Sequence, residues 1–289
     1  MKLLVTKGAA VNRAMFANAG YEVVDSGPAD YEIAWKGSSG TVPRERVVLL
    51  QSEPPVAGAR LTLYGQHAQF LAVGCYCPVL ANEFALTDTP AYPYRPAFNL
   101  WAGMKPRPKR GTGIYFAGRK GMNVSDATLF GGRRQYEFRA SFASGLRDKL
   151  GGVCVGRGWP RETKSGDWHR NKVADVMRHD PDFVCGFENC IYPWYVSEKF
   201  WDAVLCRRLA LYIGCPFQYG AMTWPNFVDL RGLSLVAVSH VADQLRAMDD
   251  EEYLERVDNQ TTMAMEYEGL WEKRRDWVTG HCIEILEGA

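Results

Sequence analysis

Residues 183–216 read FVCGFENCIYPWYVSEKFWDAVLCRRLALYIGCP, and this stretch decides the fold. An apolar run, Phe183–Phe187, breaks off at Glu188 and Asn189. A loop with Pro193, Trp194 and Tyr195 follows. Ser197 is a natural helix N-cap, and the next residues suit a helix to about Arg207. Leu209–Ile213 is a second apolar run, stopped by Gly214, Cys215 and Pro216. Strand, helix and strand in this spacing form a βαβ unit, which builds parallel sheet.

The same grammar extends upstream. Ile114–Ala117 reads as a strand between glycines. Tyr136–Leu150 places Phe138, Phe142, Leu146 and Leu150 at helical spacing. Gly151 and Gly152 close that helix, and Val153–Val155 is the next strand. In the first part, strands are expected at Lys2–Thr6, Tyr21–Asp25, Tyr31–Trp35, Val47–Gln51 and Phe70–Val73. A helix is expected at Val11–Ala19, and Ala59–His67 is ambiguous, with helical character. Between the two patterns, residues 89–113 carry Pro90, Pro93, Pro96, Pro106 and Pro108 and end in MKPRPKRGTG, as a linker does. Its basic residues, Lys105, Arg107, Lys109 and Arg110, suit a solvated connection or a raised potential beside an anionic ligand. Two helices, Ser239–Arg246 and Glu251–Val278, close the chain. The expectation is an α/β protein with two Rossmann-like lobes facing a central cleft. The first domain spans residues 1–104, and the second spans 105–289 and includes the closing helices.

Composition narrows the function classes. Among 289 residues, 34 Lys and Arg oppose 33 Asp and Glu, so global charge alone does not recruit nucleic acid. No apolar run reaches the ~20 residues that span a bilayer. The start, MKLLVTKGAA, is too short in apolar content for a secretory signal. Eight cysteines are scattered, with Cys75-x-Cys77 the closest pair, and five histidines show no metal-binding spacing. Reduced thiols, a cytoplasmic setting and no metal site are therefore expected. The glycines from Gly151 to Gly158 precede no GKS/T and are read as a turn rather than a phosphate loop.

Ligands of open α/β sheets gather beyond strand ends, which draws attention to Glu188–Lys199. Free N–H groups at a helix start favour an anion, and Lys199 adds a full charge there. Glu198 can accept from sugar hydroxyls, and Tyr195 can stack on a base or bond a phosphate. The same residues also suit a simple reading, in which Ser197 caps a helix and Lys199 is solvated.

This stretch resembles the α-1,3-fucosyltransferase family (glycosyltransferase family 10), whose signature is like FENS…DYVTEK…DAL…PVYWG.P. Here it reads FENC…WYVSEKFWDAV…LALYIGCP, and NFVDLR at 226–231 is similar to the family's SFIDV.DF. The resemblance implies a GT-B architecture and an inverting glycosyltransferase that moves fucose from GDP-fucose to a glycan hydroxyl, with no obligatory metal. It implies donor contacts from Asn189, Tyr195, Glu198 and Lys199. Arg139, opening RASF…L, stands where the family has its phosphate-binding arginine. The catalytic base it implies is a first-domain carboxylate after a strand. Glu53, following Val47–Gln51, is the first choice, and Glu83 in ANEF is the second. Cys190, Trp194 and Cys206-Arg207-Arg208 depart from the family pattern. Two alternatives stay open. One is transfer to a modified nucleic-acid base, motivated by the basic linker with Arg119, Lys120, Arg133 and Arg134. The other is a nucleotide-sugar-binding protein without turnover.

Overall fold

A computed structural model describes residues 1–7, 9–35, 37–51, 67–75, 82–85, 105–118, 120, 132–160, 168–189, 196–214 and 227–289. Contacts divide the chain into two units, Met1–Tyr94 with Gly269–Ala289, and Arg95–Glu268.

The first unit contains β1 (Lys2–Val5), α1 (Arg13–Asn18), β2 (Glu22–Val24), β3 (Tyr31–Trp35), β4 (Val47–Leu50), β5 (Ala72–Cys75) and β6 (Glu83–Ala85). Its six strands are all parallel, in the order β2-β1-β3-β4-β5-β6. β4 and β5 are buried at every position, as expected of strands covered on both faces. Val47, Leu49, Phe70, Val73 and Cys75 form the core here.

The second unit contains β7 (Ile114–Ala117), α2 (Gly132–Leu150), β8 (Gly152–Val155), α3 (Trp168–His179), β9 (Phe183–Phe187), α4 (Glu198–Leu205), β10 (Leu209–Ile213), β11 (Val228–Asp229) and α5 (Val238–Ala247). Its five parallel strands run β11-β10-β9-β7-β8. Read from β8, the order is that of a doubly wound sheet, and it matches the first unit's. In such sheets the chain winds one way from the first strand and then the other, leaving a crevice where the order reverses. In the second unit that crevice lies past the ends of β7 and β9. The α/β class with two Rossmann-like units expected from the sequence is the one observed.

The last helix, α6 (Asp250–Glu287), is divided between the units. The expected second domain, 105–289, includes all of it, whereas contacts group the segment from Gly269 with the first unit. Thr279 Oγ1 accepts from the Asn12 backbone N–H at 2.7 Å, and Asp276 accepts from the Asn12 side chain at 2.9 Å. His281 lies against Phe84 and stacks on Trp277. The expected boundary at 104/105 adjoins residues outside the described set.

The basic linker has a structural job. Asp182, 3% exposed, accepts from Arg107 Nη1 and from the backbone N–H groups of Arg110 and Thr112, each at 2.9 Å. Asp180 receives Arg107, Arg110 and Arg208. Lys109 Nζ reaches the carbonyls of Leu245, Arg246 and Met248, capping the end of α5. These contacts lie before β9 starts, at the opposite end of the strand from its carboxyl crevice. The linker therefore does not raise the potential beside a ligand there. Burial opposes ionisation of Asp182, but the bonds from Arg107 and Arg110 outweigh it and hold the pKa below the ordinary carboxylate value.

Asp182→Asn is thus expected to destabilise the protein at neutral pH by about 2–4 kcal/mol, read from the denaturation midpoint. A carboxylate with a lowered folded pKa contributes fully above its unfolded pKa of about 3.9 and loses that contribution as pH falls through the folded value. The gap between wild type and variant should accordingly close in strong acid. A gap that persists there would deny the carboxylate its role.

Candidate anion site at the carboxyl end of the second sheet

α2 delivers the first cation. Its buried face holds Ala140, Phe142, Ala143 and Leu146, and Arg139 lies in the same stripe at 2% exposure. A guanidinium so placed has to find polar partners. Arg139 Nη1 donates to Phe187 O, the last carbonyl of β9, at 3.0 Å, and the guanidinium rests 5.9 Å from the Phe116 ring of β7. A Cβ on Gly118, just past β7, would lie 3.4 Å from Arg139 Nη2. Arg139 therefore spans the point where the strand order reverses.

The end of β8 turns just as tightly. Gly156 has φ +115°, and a side chain there would meet Gly118 O at 2.6 Å. Only glycine lets the two strand ends approach this closely. The glycines of the run 151–158 divide between the two ends of β8. Gly156 and Gly158 follow the carboxyl end of β8, whereas Gly151 and Gly152 sit at its amino end. Trp159 donates from Nε1 to Gly118 O at 2.9 Å and carries the Lys120 ammonium 5.4 Å from its ring.

β9 delivers Glu188 and Asn189. Glu188 is fully buried. Its carboxylate accepts from the Ser197 backbone N–H at 2.6 Å and from the Ser197 hydroxyl at 2.5 Å. The Oδ1 of Asn189 is buried and has no hydrogen-bond partner among the described residues. Ser197 caps α4 as expected, its Oγ accepting from the Lys199 backbone N–H. Lys199 Nζ donates to Ser197 Oγ at 3.0 Å and to Glu198 Oε1 at 2.8 Å, and lies 3.9 Å from Glu188 Oε2. Its side chain is 12% exposed, so it is neither solvated nor sealed away.

Two packings hold α4 in place. Phe200 sits edge-on to Trp201, Tyr212 and Phe227, with ring centres 5.1–5.3 Å away. Lys172 of α3 pairs with Asp202 of α4 at 2.9 Å, both side chains 1% exposed.

The electrostatics separate the two carboxylates. Burial dominates at Glu188 and raises its pKa to about 7, against the opposing pull of Lys199. Glu198 also resists ionisation through burial, but Lys199 overrides this and holds it at about 2. Burial works against the charged form of Lys199, yet Glu198 and Glu188 raise its pKa, while Arg139 is close enough to oppose them. Two cations thus share one crevice with one carboxylate held in its charged form and one pushed toward its neutral form.

The structure brings Arg139, Asn189, Glu198 and Lys199 to one strand end. Tyr195 and Glu53 lie outside the described residues. Glu83 stands on β6 and accepts from the Cys75 thiol at 3.2 Å. Sequence reading assigned nothing to Glu188 or Lys172. The signals for Glu188 were its position directly after a strand and its place in the FEN triplet.

No protein-family model matches the chain, and no curated protein matches it. Several solved structures are similar. An α1,3-fucosyltransferase with GDP-fucose shares 13% identity at a TM-score of 0.47, covering 95% of this chain and 90% of that one. Another structure of an α1,3-fucosyltransferase shares 13% identity at 0.49, covering 96% and 89%. HepE from Anabaena, in complex with UDP, shares 11% identity at 0.44, covering 100% of both chains.

Proposed function

We propose that the chain is a glycosyltransferase whose nucleotide-sugar donor is held by its diphosphate at the end of β9. The observation that carries this is the convergence of Arg139, Lys199 and the capped start of α4 on the strand-order reversal of a parallel sheet. That is the place a diphosphate requires, and both cations stand where its oxygens would lie. Arginine offers a fork to phosphate oxygens, and lysine a point charge. Both gain in worth as the glycosidic bond breaks and negative charge collects on the leaving diphosphate. Glu198 stays ionised and can accept from sugar hydroxyls. Asn189 Oδ1, without a partner among the described residues, suits an N–H or O–H of the donor.

The finer reading rests on the resemblance over 187–231. The donor is GDP-fucose and the acceptor a glycan hydroxyl, and the reaction inverts the anomeric centre. The acceptor oxygen attacks the sugar carbon as the bond to the diphosphate breaks, and Glu53 takes the acceptor's proton. The first unit binds the acceptor, and the second, Arg95–Glu268, the donor. No obligatory metal is invoked, because side chains and a helix start can neutralise the leaving group. A nucleic-acid acceptor loses part of its motivation, since Arg107 and Arg110 are bound to Asp180 and Asp182.

A calorimetric panel of GDP- and UDP-sugars, followed by transfer assays, tests this. GDP-fucose binding with an inverted product is expected. Binding of UDP-sugars alone would remove the fucosyl reading, and binding of none would remove the donor site. Donor binding with no transfer to any acceptor would leave a protein without turnover. Glu53→Gln is expected to keep donor affinity and lose about 10²-fold or more in turnover. An unchanged rate would move the base elsewhere.

A further inference from the structure

We propose that an anionic ligand at Lys199 is captured together with a proton, and that Glu188 is the residue that receives it. This rests on reading the crevice as a diphosphate site, and it adds the coupling between ligand charge and protonation.

The geometry is a short relay. Lys199 Nζ donates to Ser197 Oγ at 3.0 Å, and Ser197 Oγ donates to Glu188 Oε2 at 2.5 Å. The other carboxylate oxygen accepts from the Ser197 backbone N–H at 2.6 Å. Glu188 has no exposure to solvent. Among the described residues, the groups facing it are Glu198 and Lys199 from α4 and Arg139 from α2, which bonds the carbonyl of the preceding residue. On the β10 side stands Tyr212. Its hydroxyl and Glu188 Cγ both border the space where a Cβ of Gly214 would stand, at 2.3 and 2.7 Å.

The charges of this group cancel. Arg139 and Lys199 contribute two positive charges, and Glu188 and Glu198 two negative ones. A diphosphate diester brings two more negative charges, so its capture is opposed by any carboxylate that stays ionised. Glu198 is held far down by its contact with Lys199 and keeps its charge. Glu188 lies close to its midpoint near neutrality, and a nearby anion pushes a carboxyl further toward its neutral form. The proton comes from solvent. Once Glu188 carries it, that carboxyl oxygen becomes a donor. Ser197 Oγ then accepts from Glu188 and turns its own hydrogen outward to the ligand, while Lys199 Nζ moves from Ser197 to a phosphate oxygen. No hydrogen bond is left unmade. Glu188 is here a positioning residue, acting on the ligand through Ser197 and Lys199.

Linkage fixes the sign. If binding takes up one proton, affinity falls as pH rises above the pKa of Glu188 in the free protein, approaching tenfold per pH unit. Calorimetry with GDP-fucose and UDP-glucose suits the test, because their esterified diphosphates do not titrate between about pH 5.5 and 8.5. Titrations at one pH in buffers of different ionisation enthalpy count the protons directly. Uptake approaching one proton is expected near pH 8, and little well below pH 6. The Glu188→Gln amide mimics the protonated carboxyl, accepting from the Ser197 N–H and donating to its hydroxyl. It is expected to bind at least as tightly as wild type near pH 8, with no proton uptake and a flat pH profile. A purely structural Glu188 would instead make that variant weaker at every pH.

Wild-type binding without proton uptake overturns the proposal and leaves the donor site standing. Uptake that persists in Glu188→Gln overturns the assignment to Glu188. Failure of wild type to bind either probe overturns the donor site and this coupling together. The wild-type proton count decides the coupling even if the variant does not fold.

Discussion

Lys199→Ala is expected to lower kcat/KM with a nucleotide sugar by about 10²–10³-fold, a loss of about 2.7–4 kcal/mol of transition-state stabilisation. The expectation follows from where the ammonium is held. It is 12% exposed, tied to Glu198 and Ser197 at the first turn of α4, and its mobile stem can deliver it to an oxygen at the crevice. A charge in such a setting is worth more than one in bulk water. The loss should fall chiefly on kcat, because charge on the leaving diphosphate grows as the bond breaks. Lys199→Arg should recover part of it. The competing account is that Lys199 only neutralises Glu198 and Glu188. The variant would then unfold at lower denaturant, while the folded fraction turned over normally. Steady-state kinetics with a parallel unfolding curve separates the two, and an unchanged kcat/KM would remove Lys199 from the chemistry. Arg139→Ala should behave similarly, with an added stability cost because its guanidinium bonds the end of β9 from inside the core.

Lys172→Met is the second large effect, and it is one of stability. The pair with Asp202 is buried on both sides and bridges α3 to the helix that carries Glu198 and Lys199. Removing one partner strands a charge where water cannot reach it, at a cost of about 3–5 kcal/mol. Replacing both, as in Lys172→Met with Asp202→Leu, should return most of that loss, because a well-packed apolar pair often matches a buried ion pair. The double variant should nonetheless bind donor more weakly than wild type, since the apolar contact fixes the rotation of α4 less sharply. Equal stability of wild type and the single variant, measured by urea denaturation, would show that the bridge is not what secures α4.

These two residues show what could and could not be read along the chain. The place of Lys199 in the first turn of a helix was legible, because a cap followed by an acid and a base after a strand has a local meaning. The helix that carries Arg139 was legible too, although the burial of that residue was not: the stripe Phe138–Phe142–Leu146 concealed that position 139 faces inward. Lys172 was not legible. Its helix, Trp168–His179, buries Val173 and Val176 beside a lysine, too weak a periodicity to announce a helix. Strand β6 was too short to signal itself. Glu188 stood in plain view after its strand, but its meaning depends on Ser197, nine residues on, folding back to meet it. The linker arginines misled for a similar reason. Their carboxylate partners, Asp180 and Asp182, lie some seventy positions away, and a basic run without visible partners looks like a ligand surface. Local chemistry carried well into the fold, whereas tertiary partners did not.

The division of the final helix bears on how the molecule is made. A ribosome releases residues 1–94 first, yet the piece that packs beside Asn12 and Phe84 emerges only after the whole of the second unit. The earlier-born unit must therefore wait, incomplete, while the later-born one is synthesised around its own self-contained sheet. Nascent chains stalled short of position 269 should show a protease-resistant second half and a cleavable first half.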